Sequence, residues 1–159
     1  MTTKVEESIR VDVPVTTAYN QWTQFEDFPQ FMENVESVQQ LDEKRLHWKA
    51  DVAGKTKEWD AEITEQIPDE RVAWTSTTGA RNAGVVTFHR LDENRSRVML
   101  QMDVEPEGPV ESAGAALGVL QGQVKGDLER FKKFIEERGQ ETGAWRGEVR
   151  QESVSGATR

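Results

Sequence analysis

The chain begins with a strict alternation. Val5, Glu7, Ile9, Val11 and Val13 fall on one parity, and Glu6, Ser8, Arg10 and Asp12 on the other. A period of two predicts a strand with one buried face. Pro14, which has no amide to donate, closes it. A short helix is expected from about Thr16, whose hydroxyl suits an N-cap, with Ala18, Tyr19 and Trp22 on its apolar side. The aromatic-rich stretch QFEDFPQFMENV follows, broken by Pro29, and predicts a second short helix or turn.

From Val35 onward the period returns to two. Turn-forming residues recur at Asp42–Lys44, Ala53–Lys55, Pro68–Glu70, Thr78–Ala80 and Asp92–Asn94. These turns join consecutive strands into an antiparallel meander, which with the first strand makes a sheet of about seven strands. The alternation assigns an inward row to each strand: Leu46, Trp48, Ala50 and Val52; Trp59, Ala61 and Ile63; Val72, Trp74 and Ser76; Gly84, Val86 and Phe88; Val98, Leu100, Met102 and Val104. The opposite rows are polar, so the sheet is covered on one side only.

The cover must be the last regular element. Val110, Ala113, Leu117, Leu120, Val124, Leu128, Phe131 and Ile135 repeat at three and four, the stripe of an amphipathic helix. Gly108 and Pro109 suit its start and Gly139 its stop. Such a helix would be about 43 Å long, enough to cross the sheet. The remainder, GQETGAWRGEVRQESVSGATR, has no periodicity. The division expected is therefore an α+β domain over 1–138 and a flexible tail over 139–159.

Charge and composition narrow the chemistry. A formal net charge of −9 disfavours nucleic-acid backbones and anionic membranes as partners. No apolar run approaches the roughly 20 residues of a membrane span. The N-terminus enters a strand without a hydrophobic signal core, so a cytoplasmic location is expected. With no cysteine there is no disulfide, thiolate metal site or thiol nucleophile. With two histidines, His47 and His89, both on outward parity, no metal centre or other cofactor is expected.

The residues VDVPVTTAYNQWTQFEDFPQFMENVESV, EWDAEITEQIPDERVAWTS, GVVTFHRL and GDLERFKKFIEERG carry a family likeness. Over about residues 3–138 the chain resembles the START-like SRPBCC superfamily, specifically the bacterial polyketide cyclase/dehydrase and lipid-transport group. The resemblance implies a helix-grip fold, in which a curved sheet wraps the long helix and leaves a cavity between them. It also implies ligand entry near the two short helices and the N-terminal half of the long one. The superfamily includes lipid carriers, coenzyme Q-binding proteins, aromatase/cyclases, hydroxylase domains and chaperone activators, so it does not choose an activity.

The candidate ligand-binding residues are Phe28, Phe31 and Met32 near the expected mouth, and Trp48, Trp59, Trp74, Ser76, Phe88 and Met102 on the inner face. Ala113, Leu117 and Leu120 face them from the helix. Flat aromatic faces with few polar groups suit a hydrophobic or polycyclic ligand, although the same residues would equally fill a core. Catalysis needs a positioned acid, base or nucleophile. The inward parity offers Glu7, Lys57, Glu65 and Ser76, of which Lys57, Glu65 and Ser76 are the candidates kept, and no two form a recognisable pair by spacing. The cyclases of the superfamily use arginine and tyrosine in the pocket. Here the arginines fall on outer parity, in turns or near strand ends, and the sole tyrosine, Tyr19, sits on the first short helix.

Glycine recurs at every fourth position of the long helix, at Gly114, Gly118, Gly122 and Gly126. Each interior glycine costs about 1 kcal/mol relative to alanine. The ladder would allow close packing, leave room for ligand, or make that half of the helix a deformable lid; Gly114, Gly118 and Gly122 are the lid candidates. The reading favoured is a carrier or sensor of a hydrophobic small molecule such as a lipid, isoprenoid or aromatic polyketide. The alternatives are a cyclase or dehydrase in the same cavity, and an interaction module with a filled core. A protein partner bound through the tail around Trp145, and a homodimer, complete the expectations.

Overall fold

The computed structural model describes residues 3–52, 54–79, 81–104 and 110–150, with side-chain surroundings in the long helix from Gly118 onward. Strand β1 (Thr3–Val11) leads into helix α1 (Val15–Trp22) and a 3-10 helix (Phe25–Gln30). Six strands follow: β2 (Val35–Gln40), β3 (Arg45–Val52), β4 (Lys55–Ile67), β5 (Arg71–Gly79), β6 (Asn82–Asp92) and β7 (Arg95–Val104). Helix α2 (Val110–Arg138) closes the order. Every strand pairing is antiparallel, and the sheet order is β1-β7-β6-β5-β4-β3-β2. The curled seven-stranded sheet and single long helix are the architecture expected from the alternation.

The inner face follows the parity. Val5, Val11, Leu46, Ala50, Ile63, Val72, Val86, Phe88 and Val98 are all buried. Helix α2 answers with Val124, Leu128, Phe131 and Ile135, buried at its stripe spacing. It packs along β1, running in the same direction. The Lys132 ammonium donates to the Arg10 carbonyl at 3.0 Å, and Glu136 accepts the Asp12 amide at 2.6 Å. Its last turn ends at Gly139, whose φ of +74° is the left-handed stop glycine allows. Gly108 and Pro109, expected at its start, lie outside the described residues.

Three local expectations change. Helix α1 starts one residue earlier, with Pro14 at the cap position and no side-chain cap bond; Thr16 instead donates from its hydroxyl to Asp69 at 3.0 Å. A β-bulge in β4 between Ile63 and Glu65 inserts one residue, so Gln66, not Glu65, sits opposite inward-facing Val72. Glu65 is turned to the outer face and paired with Arg71 at 2.7 Å, which removes it from the inward candidates.

The third change concerns the tail. Over residues 140–150 it is not a free extension but an arm laid against the body. Gln66 and Val149 exchange backbone hydrogen bonds at 2.6 and 2.9 Å, and Val149 is 5% exposed. β3 pairs with β4 only as far as Glu62, so the outer edge of β4 beyond it needed a partner, and the arm supplies one. Residues 151–159 lie outside the described residues.

Candidate functional site

Two different environments meet on the inner face. At the end covered by α1 and the 3-10 helix, the rings interlock. Trp22 lies 5.2 Å from Phe28 and 5.1 Å from Phe131, and Phe31 lies 5.2 Å from Phe131 and 5.4 Å from Phe134. Phe28 and Phe31 are 2% exposed, Met32 8% and Phe88 5%. Phe28, Phe31 and Met32, expected near the mouth, and Phe88 of the inner face all sit in packed core. The reason begins locally: a 3-10 turn through FEDFPQ buries Phe25 and Phe28, and Phe131 of α2 closes on the neighbouring Trp22 and Phe31 rings.

The other end is different. Trp48, Trp59, Trp74, Leu100 and Met102 are on the inward rows but only half-buried, and Leu120 of α2 is likewise half-buried. Trp48 and Trp59 are direct cross-strand partners, their rings 5.8 Å apart and 5° from parallel. Phe28 touches Trp48 at 5.6 Å, so the stack adjoins the closed core. Trp74 is held by its indole N–H, which donates to the Asn82 side-chain oxygen at 2.9 Å. Its ring lies over Gly84, where a Cβ would come within 2.7 Å of it. Glycine at 84 is what lets the indole lie flat on the sheet.

Polar groups on this part of the face are few. Ser76, opposite Ala61, accepts the Asn82 backbone amide at 3.0 Å. Lys57 is half-buried opposite Ala50. Glu7, half-buried between Val5 and Ile9 on β1, accepts from the Gln121 amide of α2 at 2.9 Å. Nothing in the sequence singles out Gln121. On a helical projection it looks like one more solvated residue, and only the approach of α2 to β1 gives it a partner.

Where it passes along β1, α2 carries its weak half. Gly118 and Gly122 are exposed, and a Cβ at either would meet nothing within 4 Å. Among the described residues nothing of the chain's own packs closely against these two glycines. At Gly126 a Cβ would come within 3.0 Å of the Arg130 guanidinium. Arg130 ties the helix down by donating to the Phe31 carbonyl at 2.9 Å and to Asp127 at 2.6 Å. Burial pushes the Asp127 carboxyl up to about 6 despite that pairing. The side chains of Ala113, Gly114 and Leu117 lie outside the described residues. Among the described residues no cluster of three metal-ligating side chains occurs, and no helix is long and apolar enough to cross a membrane.

The pattern of curled sheet, two short helices and one long helix has a counterpart among known proteins. The family model for polyketide cyclase / dehydrase and lipid transport matches residues 11–133. The chain belongs to this family. It is 66% identical over 147 residues to a 17.2 kDa protein of the melC2-rnhH intergenic region of Streptomyces lincolnensis, itself uncharacterized, covering 92% of this chain and 98% of that one. Its fold is similar to that of the Zhui aromatase/cyclase from Streptomyces sp. R1128, with a TM-score of 0.73 at 17% identity over 91% of this chain and 100% of the other. It is also similar to that of a START superfamily protein from Mycobacterium smegmatis, with a TM-score of 0.66 at 16% identity over 80% and 97%. At these identities the two structures speak for the fold, and the family match for the polyketide cyclase / dehydrase and lipid-transport lineage.

Proposed function

We propose that the protein binds a flat, hydrophobic small molecule between the inner face of the sheet and the N-terminal half of α2, as a carrier or sensor. The observation that carries this reading is the contrast along one face. Aromatic residues at the α1 end are buried by one another, whereas Trp48, Trp59, Trp74 and Met102 remain half-buried though they point inward. Large apolar side chains left partly uncovered on a concave face are what an apolar ligand would cover. The stacked Trp48–Trp59 pair suits a planar ring system.

The cyclase or dehydrase of the family name is the second reading. It requires an acid or base that exchanges a proton with the ligand. Glu7 is the inward carboxylate, but its partner Gln121 is a neutral amide. Among the described residues, Ser76 receives the Asn82 backbone amide and no base. Both arrangements fit positioning better than proton transfer, which favours the carrier.

Intrinsic tryptophan emission provides the test. Titration with 1-anilinonaphthalene-8-sulfonate and with 1,8-dihydroxyanthraquinone should give saturable quenching, at least tenfold weaker in Trp59→Ala. Absence of saturable binding for both probes and for a fatty-acid series would sink the carrier reading. Turnover of a linear poly-β-ketone analogue, abolished by Glu7→Gln, would favour the enzyme instead.

A further inference from the structure

Helix α1 is buried on both sides, and the arm 140–150 is the reason on its polar side. Asn20 is 6% exposed, Gln21 0% and Thr23 3%. Each is satisfied by the arm. Asn20 donates to Glu141 at 2.7 Å and accepts from Arg146 at 2.7 Å. Gln21 accepts the Thr142 amide at 2.9 Å and donates to its hydroxyl at 3.1 Å. The Thr23 hydroxyl accepts the Trp145 amide at 3.0 Å. Arg146 then lies over the Tyr19 ring and grips Asp69 with two hydrogen bonds of 3.0 and 2.9 Å. Val149 completes the docking by adding to the free edge of β4. A groove that reads the side chains and backbone of an extended segment is a peptide-recognition surface, here filled by the chain's own arm.

We infer that this groove also accepts the arm of a second copy of the chain, so that two molecules exchange residues 140–150. Two observations support exchange. The hydrogen bonds of the arm run to α1, Thr23, Asp27, Gln66 and Asp69; the described exceptions are Arg138 to Gln140, beside the joint with α2, and Arg150 to Glu148 within the arm. Contacts made to the body are the same from either molecule. It is joined to α2 through Gly139, which is exposed, has a φ of +74° and has open space around its Cα.

The chain has no cysteine, so introduced thiols report alone. Full-length Gln66→Cys and full-length Val149→Cys are mixed and gently oxidised, and the disulfides are mapped by mass spectrometry. Exchange predicts inter-chain 66–149 links in clear excess over 66–66 and 149–149 links, reduced several-fold when Arg146→Ala is added to the Val149→Cys chain. If 66–149 links are no commoner than the other two, while the double variant closes within one chain, exchange is ruled out. Circular dichroism checks that each single variant is folded. If either is not, Asp27→Cys and Thr142→Cys, joined by a short bismaleimide and bearing on the 2.6 Å contact of those side chains, decide by the same excess or its absence.

Discussion

Trp48 and Trp59 stack across β3 and β4 with ring centroids 5.8 Å apart and planes 5° from parallel. Phe28 touches Trp48 and both indoles are half-buried, so the pair sits where packed core gives way to uncovered inner face. Core and site residues therefore respond oppositely to truncation. Phe31→Ala, at a fully enclosed ring, should cost about 3–5 kcal/mol in urea unfolding. Trp59→Ala should cost roughly 1–2 kcal/mol, because part of its surface already faces water, yet should weaken probe binding more. Equal stability losses would mean that both rings belong to one filled core.

The glycines of α2 separate by environment. Gly118→Ala and Gly122→Ala meet open space, so each should stabilise the protein by up to about 1 kcal/mol. If this half of the helix serves as a lid, probe uptake in stopped flow should also slow; unchanged uptake removes the lid. Gly84→Ala should behave in the opposite way. Its Cβ would fall 2.5 Å from the Gln101 carbonyl oxygen and 2.7 Å from the Trp74 ring. The carbonyl cannot yield without disturbing the β6–β7 pairing, so a lowered melting temperature is expected.

Asp127 gives a stability effect with a defined sign. Its folded-state value of about 6 lies above the ordinary 3.8, so the native protein holds this proton where the unfolded chain has released it. The stabilisation is complete below about pH 4 and is lost as pH rises through about 6, amounting to at most about 2–3 kcal/mol. Asp127→Asn removes the charge that burial penalises. Its melting temperature should gain on the parent between pH 5 and 7.5, and parallel curves would contradict the assignment.

His47 acts over a higher range. Its ring nitrogens lie 2.6 Å from Asp60 and 2.9 Å from Glu58, and these hydrogen bonds raise its pKa above the usual 6.5. The charged form is the stabilised one. Its contribution is present below pH 6.5 and disappears as pH rises through the raised value. The site is on the outer face and open to solvent, so the effect should be small and salt-sensitive. A histidine NMR titration should find the raised value, and His47→Gln should flatten the stability profile above pH 6.5.

Much of this architecture is local and therefore legible in the chain. Alternation from Val5 to Val11 and from Leu46 to Met102 identifies the inward rows, since a strand exposes successive side chains to opposite faces. The spacing of Val124, Leu128, Phe131 and Ile135 identifies the covering helix for the same geometric reason. Other features arise only when distant segments meet. The bulge that sends Glu65 outward and Gln66 inward depends on the pairing of β4 with β5, which a count of two cannot anticipate. Whether an inward aromatic is core or site depends on its neighbours from other elements: Phe31 meets Phe131 and Phe134, while Trp59 keeps part of its surface uncovered. The arm shows the limit most plainly. Its residues are polar and aperiodic, and their partners on α1 lie more than a hundred positions away, as in the 121-residue separation of Asn20 and Glu141. Periodicity records burial against an apolar core. Docking built from hydrogen bonds and one ion pair leaves no such record, and only the tertiary structure brings it into being.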